Sequence, residues 1–151
     1  MKSYPRLSPY KTETDPLSAF LSEFRFDVEY FTNWRQQDHK TLRNIVSAQM
    51  KLILLESGHS TLFSDKKSYS MSAGSCLLIP PYTVYDAETF EGVNSYEVFF
   101  SVYPVVREQE FLQYAHFTSI MFFPNLICPE EFAFIRASYA SLQAQKPGAY
   151  A

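Results

Sequence analysis

Between Val46 and Leu55 the chain alternates. Val46, Ala48, Met50, Leu52 and Leu54 fall on one face of an extended segment, and Ser47, Gln49 and Lys51 on the other. A period of two predicts a half-buried strand, and Ile53 and Leu55 then make both of its faces apolar. The same period runs through Phe24, Phe26, Val28 and Tyr30 against Arg25, Asp27 and Glu29, which predicts a strand within residues 17–34. Polar residues 33–40 predict a loop carrying Trp34, Arg35 and His39.

Beyond the main strand, Ser57-Gly58-His59-Ser60 predicts a turn, residues 61–64 a return strand, 65–68 a second turn and 69–71 another short strand. Gly74-Ser75-Cys76-Leu77-Leu78-Ile79-Pro80-Pro81 then reads as turn, buried strand and corner. Four apolar residues in a row fit a strand with little exposed face, and neither proline has an N–H to continue the ladder. Residues 82–90 leave in a new direction, and a turn at 91–94 separates them from a strand at 95–103. Short strands at nearly even spacing predict a mainly β fold, a closed antiparallel barrel or sandwich of the jelly-roll kind.

After residue 103 the pattern changes. Val105, Glu108, Phe111, Leu112 and Ala115 stand at helical spacing, and residues 117–123 form an apolar, extended run. Cys128-Pro129-Glu130-Glu131 opens a helix with proline in its first turn and acids where the helix dipole favours them. Phe132, Ile135, Tyr139 and Leu142 give it an apolar stripe, and Lys146-Pro147-Gly148 stops it. The predicted organisation is an irregular, proline-bearing arm over residues 1–16, a barrel over 17–103 and a helical tail over 104–151.

Composition sharpens this picture. The 151 residues suit one domain, and 46% hydrophobic with 17% aromatic content supplies a large core and material for a pocket lining. A net charge of −3 and no basic cluster beyond Lys66-Lys67 leave no electrostatic footprint for nucleic acid in these residues. The two cysteines, Cys76 and Cys128, lie far apart in apolar surroundings and read as reduced thiols. A polar, proline-rich start and the lack of a long apolar run predict a cytoplasmic protein with no membrane partner.

Gly74, Pro80 and the position five further on, Tyr85, resemble the second cupin motif, in which glycine and proline make the corner and a histidine faces the barrel interior. The segment from Leu52 to Tyr103, with Leu-Ile-Leu-Leu-Glu-Ser-Gly, Gly-Ser-Cys-Leu-Leu-Ile-Pro-Pro and Tyr-Glu-Val-Phe-Phe-Ser, resembles the N-terminal sensing and dimerisation domain of AraC-type transcriptional regulators. That resemblance implies a small cupin-like barrel followed by C-terminal helices, in a bacterial regulator. The barrel would bind a small effector, a sugar or small organic acid, and the full-length protein would be a homodimer. DNA would be bound only by a C-terminal helix-turn-helix part that residues 1–151 do not contain. The dimerisation helix implied is the one carrying Phe132, Ile135, Tyr139 and Leu142. No metal or other cofactor is expected: His59 stands alone after Gly58, His39 and His116 lie far off, and Tyr85 replaces the remaining histidine.

For the effector site, Arg43 falls where the resemblance implies a ligand-contacting arginine, and a guanidinium forks well onto a carboxylate or diol; a solvated arginine at a strand entrance is the other reading. Tyr85 is expected to face inward, as a ligand donor or as a core tyrosine with a backbone partner. Glu97, with Phe99 on its face of the strand, is either outside or an inward carboxylate that needs a cation such as Arg43 or a ligand amine. Trp34 either caps the mouth of the barrel or packs. His39, His59 and His116 read as surface or turn residues. No nucleophile–base pair, phosphate loop or metal set is present, so no catalytic residue and no enzymatic activity is expected. The alternative is a small metal-free cupin enzyme acting on a sugar or keto acid, which requires Tyr85 and Glu97 to reach a common point.

Overall fold

A computed structural model describes residues 24–104 and 119–145. The N-terminal arm, the helical spacing at 105–115, His116 and the stop at 146–148 lie outside those residues.

Among the described residues, nine strands form two sheets in which every pairing is antiparallel. Strands β1 (Phe24–Gln36), β3 (Met50–Ser57), β6 (Cys76–Ile79), β8 (Val93–Pro104) and β9 (Met121–Phe123) make the first, in the order β1-β8-β3-β6-β9. The second holds β2 (Lys40–Ile45), β4 (Ser60–Ser64), β5 (Lys67–Met71) and β7 (Tyr85–Thr89), in the order β2-β7-β4-β5. A helix, α1 (Pro129–Ala144), follows β9. β9 pairs with β6, so the first sheet takes its last strand from beyond residue 103, where the barrel was expected to end.

Two apolar clusters hold these layers. Ile53, Leu55, Leu77 and Ile79 of the five-stranded sheet meet Leu62, Met71, Tyr85 and Ala87 of the other, inside the barrel. On the outer face of the five-stranded sheet, Leu54, Cys76 and Tyr96 receive Phe132, with Phe31, Leu52, Ile127, Ile135 and Tyr139 around them. Tyr139 meets the rings of Phe31 and Tyr96 edge-on, at centroid distances of 5.4 and 5.8 Å. Helix α1 therefore lies on the sheet, and β3 is covered on both sides.

That arrangement corrects three expectations. The alternation from Val46 to Leu54 does not separate core from solvent: Leu54 faces the helix, while Lys51, Ile53 and Leu55 face the interior, and the strand begins only at Met50. Residues 33–40 are not all loop, because β1 continues to Gln36 with Trp34 paired to Ser95 and a second strand starts at Lys40. A register shift between Val28 and Tyr30 leaves both of those side chains 60% exposed, so the even-numbered stripe does not stay buried along β1.

The corner at residues 74–81 forms as its composition requires. Ile79 ends β6, Pro80 and Pro81 break the ladder, and β7 begins at Tyr85. Gly74 has φ +92°, and its carbonyl accepts the N–H groups of Leu126 and Ile127 at 3.0 and 3.1 Å. A Cβ there would stand 2.8 Å from the Ile127 carbonyl oxygen, on a backbone conformation that side chains disfavour. Gly74→Ala is expected to cost about 1–3 kcal/mol, read as a lower urea midpoint with an unchanged slope.

Candidate functional site

The space between the two sheets is not filled. A cavity of about 290 Å³ remains, walled by Ile53, Leu55, Leu62, Ala87 and Val93, with Trp34 of β1 on one side. Two hydroxyls in its lining are spent on the backbone: Ser60 Oγ donates to the Glu88 carbonyl at 3.3 Å and Thr89 Oγ1 to that of Lys40 at 3.2 Å. Lys51, Tyr85 and Glu97 supply the ionisable groups.

Lys51 is 5% exposed. Its Nζ donates to Tyr85 Oη at 2.7 Å, a bond that crosses the interior from β3 of one sheet to β7 of the other. The ammonium position also lies 5.2 Å from the Tyr85 ring centre and 4.8 Å from that of Phe99. Strand register explains the neighbours. Lys51 is directly opposite Phe99 and Ile53 is opposite Glu97, which makes Glu97 the diagonal neighbour of Lys51 on the same face. Among the described residues no carboxylate forms an ion pair with Lys51.

Burial dominates the titration of all three groups. It lowers the Lys51 pKa from its usual value, with the Glu97 charge pulling weakly the other way. Desolvation raises Glu97, offset in part by Lys51. Tyr85 is pushed well up, first by burial and then by Glu97, so its phenol stays neutral across the physiological range.

The residues anticipated from sequence divide clearly. Tyr85, Glu97 and Trp34 line the cavity together, Trp34 from a strand and not from a loop. Glu97 is inward, and the cation it faces is Lys51 rather than Arg43. Phe99, also expected at the ligand, is not among the cavity-lining residues; it lies under the Lys51 amine and edge-on to Tyr30 at 6.1 Å. Arg43 is not brought to the cavity and is exposed. The reason is local: Leu42 and Ile45 are the β2 side chains that reach inside, and the ladder with β7 is irregular between them, with Asn44 in the left-handed region at φ 55°. His39 and His59 flank the ring of Phe90 on the surface, His39 also meeting Glu88 at 2.7 Å. Among the described residues no three His, Cys, Asp or Glu side chains gather as a metal set.

Of the helix stripe, Phe132 is 3% exposed and Ile135 and Tyr139 pack beside it, all against this chain's own sheet. The helix turns those three inward because the outer face of the sheet is itself apolar; Leu142 stays exposed, as does Phe134. Cys76 lies on that helix side of β6, where burial pushes its thiol up to about 11 and leaves it unreactive.

Two facing antiparallel sheets, the Gly74–Pro80 corner and an internal cavity are the features of a cupin barrel. The fold is cupin-like. No protein-family profile matches the chain, and no curated protein sequence does. Among solved structures it is similar to ToxT from Vibrio cholerae O395 bound to (E)-4-(8-methylnaphthalen-1-yl)but-3-enoic acid, with a TM-score of 0.50 and 11% identity over 85% of this chain and 51% of that one. The chain thus spans about half the length of that neighbour. A cupin superfamily protein from Desulfitobacterium hafniense matches 64% of this chain and 99% of its own at 11% identity, with a TM-score of 0.45.

Lys51 is the cavity residue the alternation concealed. It shares a face with Ile53 and Leu55, and that continuation of its own face into an apolar run is the signal that places it inside.

The raised pKa of Glu97 fixes the sign of one pH effect. In the interval above 4.5 the folded chain retains a proton that the unfolded chain has lost, so stability falls as pH rises through the folded-state value. Glu97→Gln removes that loss. Its stability relative to the parent chain is expected to improve between roughly pH 4 and pH 7, as read from urea midpoints at each pH; an equal offset at both would show that Glu97 titrates normally.

Proposed function

We propose that this chain is the effector-binding and dimerisation domain of a bacterial, cytoplasmic AraC-type transcription regulator. The observation that carries the reading is the cavity, an apolar space with Lys51, Tyr85 and Glu97 converging in it. Such a space suits a small molecule with an apolar body and a polar head, because apolar walls supply affinity and a few placed polar groups supply orientation. The likeness to the N-terminal part of ToxT, an AraC-family regulator, supports the assignment at the level of fold, and that protein's complex with an arylbutenoic acid is of the same kind. DNA contact belongs to a helix-turn-helix part outside these 151 residues, and a second copy would dock on the outer face of α1, which carries Phe134 and Leu142.

An effector that changes the packing of the interior shifts the balance between two arrangements of the domain, which is all that allosteric control of an attached DNA-binding part requires. A panel of small organic acids, sugars, alcohols and carbonyl compounds is expected to contain members that raise the melting temperature saturably, by about 2.7 kcal/mol of added stability at a hundredfold excess over Kd. Ala87→Trp, which fills the cavity, is expected to abolish that response while the chain stays folded. A panel without any saturable stabilisation would overturn the reading.

One observation favours a second reading. Tyr85 and Glu97 line the same cavity, as a metal-free cupin enzyme acting on a sugar or keto acid would need. Turnover of a stabilising compound, lost in both Tyr85→Phe and Glu97→Gln, would replace the sensor with the enzyme.

A further inference from the structure

Lys51 is an unusual amine for a barrel interior. It is 5% exposed, its one hydrogen bond goes to the neutral phenol of Tyr85, and two aromatic rings lie beside it. A buried ammonium normally takes a carboxylate partner at contact distance, since desolvation of an unpaired charge is costly. Here the nearest acid in the lining, Glu97, is the diagonal and not the direct neighbour, and no ion pair forms among the described residues. The residue nevertheless lines free space of about 290 Å³.

Desolvation beside a cavity is how a lysine side chain is made nucleophilic. We propose that Lys51 Nζ captures a small aldehyde or ketone in the cavity as a Schiff base, so that the domain recognises carbonyl compounds covalently and reversibly. The inference rests on the cavity being a small-molecule site. In the addition, the nitrogen lone pair forms a bond to the carbonyl carbon while the C=O π pair moves onto oxygen, which takes a proton. Nitrogen gives up one proton as the carbinolamine forms; its hydroxyl then takes a second proton and leaves as water, and loss of the second N–H proton leaves the C=N bond. The sum is amine plus carbonyl giving imine plus water, with no oxidant or reductant. In its protonated form Glu97, on the same face of the cavity, supplies the proton that oxygen needs, and Tyr85 orients the amine through the 2.7 Å bond. Burial supports the chemistry from the other direction, since it lowers the Lys51 pKa and raises that of Glu97, favouring the uncharged amine and the protonated acid.

The test uses the 151-residue chain with hexanal and sodium cyanoborohydride, the hydride of which traps an imine as a secondary amine. Peptide mapping by mass spectrometry is expected to find saturable hexyl labelling at Lys51, about tenfold or more faster than at the exposed Lys40, Lys66 and Lys67. Hexanol, which fits the same space and has no carbonyl, is expected to slow labelling at Lys51 and not at the surface lysines. Glu97→Gln is expected to slow trapping at Lys51 severalfold with the hexanol competition retained. Because the mapping is done on the unaltered chain, it does not depend on a Lys51 variant folding. Labelling at Lys51 no faster than at the exposed lysines overturns the proposal. If hexanol still stabilises the chain in that case, the covalent step alone fails; if hexanol neither stabilises nor competes, small-molecule binding fails with it.

Discussion

Strand β3 is buried on both faces, and that constraint organises the molecule. One face carries Lys51, Ile53 and Leu55 into the barrel; the other carries Leu52 and Leu54 to the helix. A strand in this position cannot show solvent a polar side, so the charged side chain on its inner face, Lys51, is committed to the interior whatever it costs, while Glu56 near its end pairs with Arg136 of the helix. Hydrogen bonds to β8 on one edge and β6 on the other fix its register, and the register in turn fixes which groups Lys51 meets. Shifted by one residue, the strand would exchange its two faces, and Lys51 would point at the helix. The polar centre of the cavity is thus a product of strand register as much as of residue choice.

The electrostatics of that centre are those of groups held apart. An ion pair at contact distance would neutralise both partners and quieten the site, whereas diagonal placement leaves Lys51 and Glu97 each under the influence of burial first and of the other second. Tyr85 joins them from the opposite sheet through a hydrogen bond that spans the interior. Its hydroxyl occupies the place where the resembled cupin motif has an imidazole, so a corner suited elsewhere to metal ligation here presents a neutral, high-pKa phenol to an amine.

Much of this was legible in the sequence because it rests on local chemistry. The corner at Gly74 and Pro80, the short strands between turns and the helix opened at Pro129 all follow from what glycine, proline and alternating side chains can do, while the inward Tyr85 is what the resemblance to the cupin motif implies. The misreadings share a different cause. Alternation was taken to separate core from water, and in β3 it separates two cores, so Lys51 was placed outside. Residues 33–36 and Lys40 are polar and read as loop, yet they belong to strands because pairing with β8 and β7, and not their own composition, gives them that identity. Arg43 matched the expected position in sequence spacing, but the irregularity between Leu42 and Ile45 decides which side chains of β2 enter. The resemblance implies a partner for the helix stripe, and the spacing of the stripe alone reports an apolar face without saying what covers it. Phe132 shows that the cover is the chain's own sheet.

The double burial of β3 also has a mechanical meaning. A single layer of backbone separates whatever occupies the barrel from the helix on its outer face, and side chains of successive residues touch the two sides. Pressure on Ile53 or Leu55 from within is borne by the same peptide units that seat Leu52 and Leu54 beneath Phe132 and Ile135. The strand has no freedom to absorb a displacement by moving into solvent. It behaves as a diaphragm, and what one side feels the other must register.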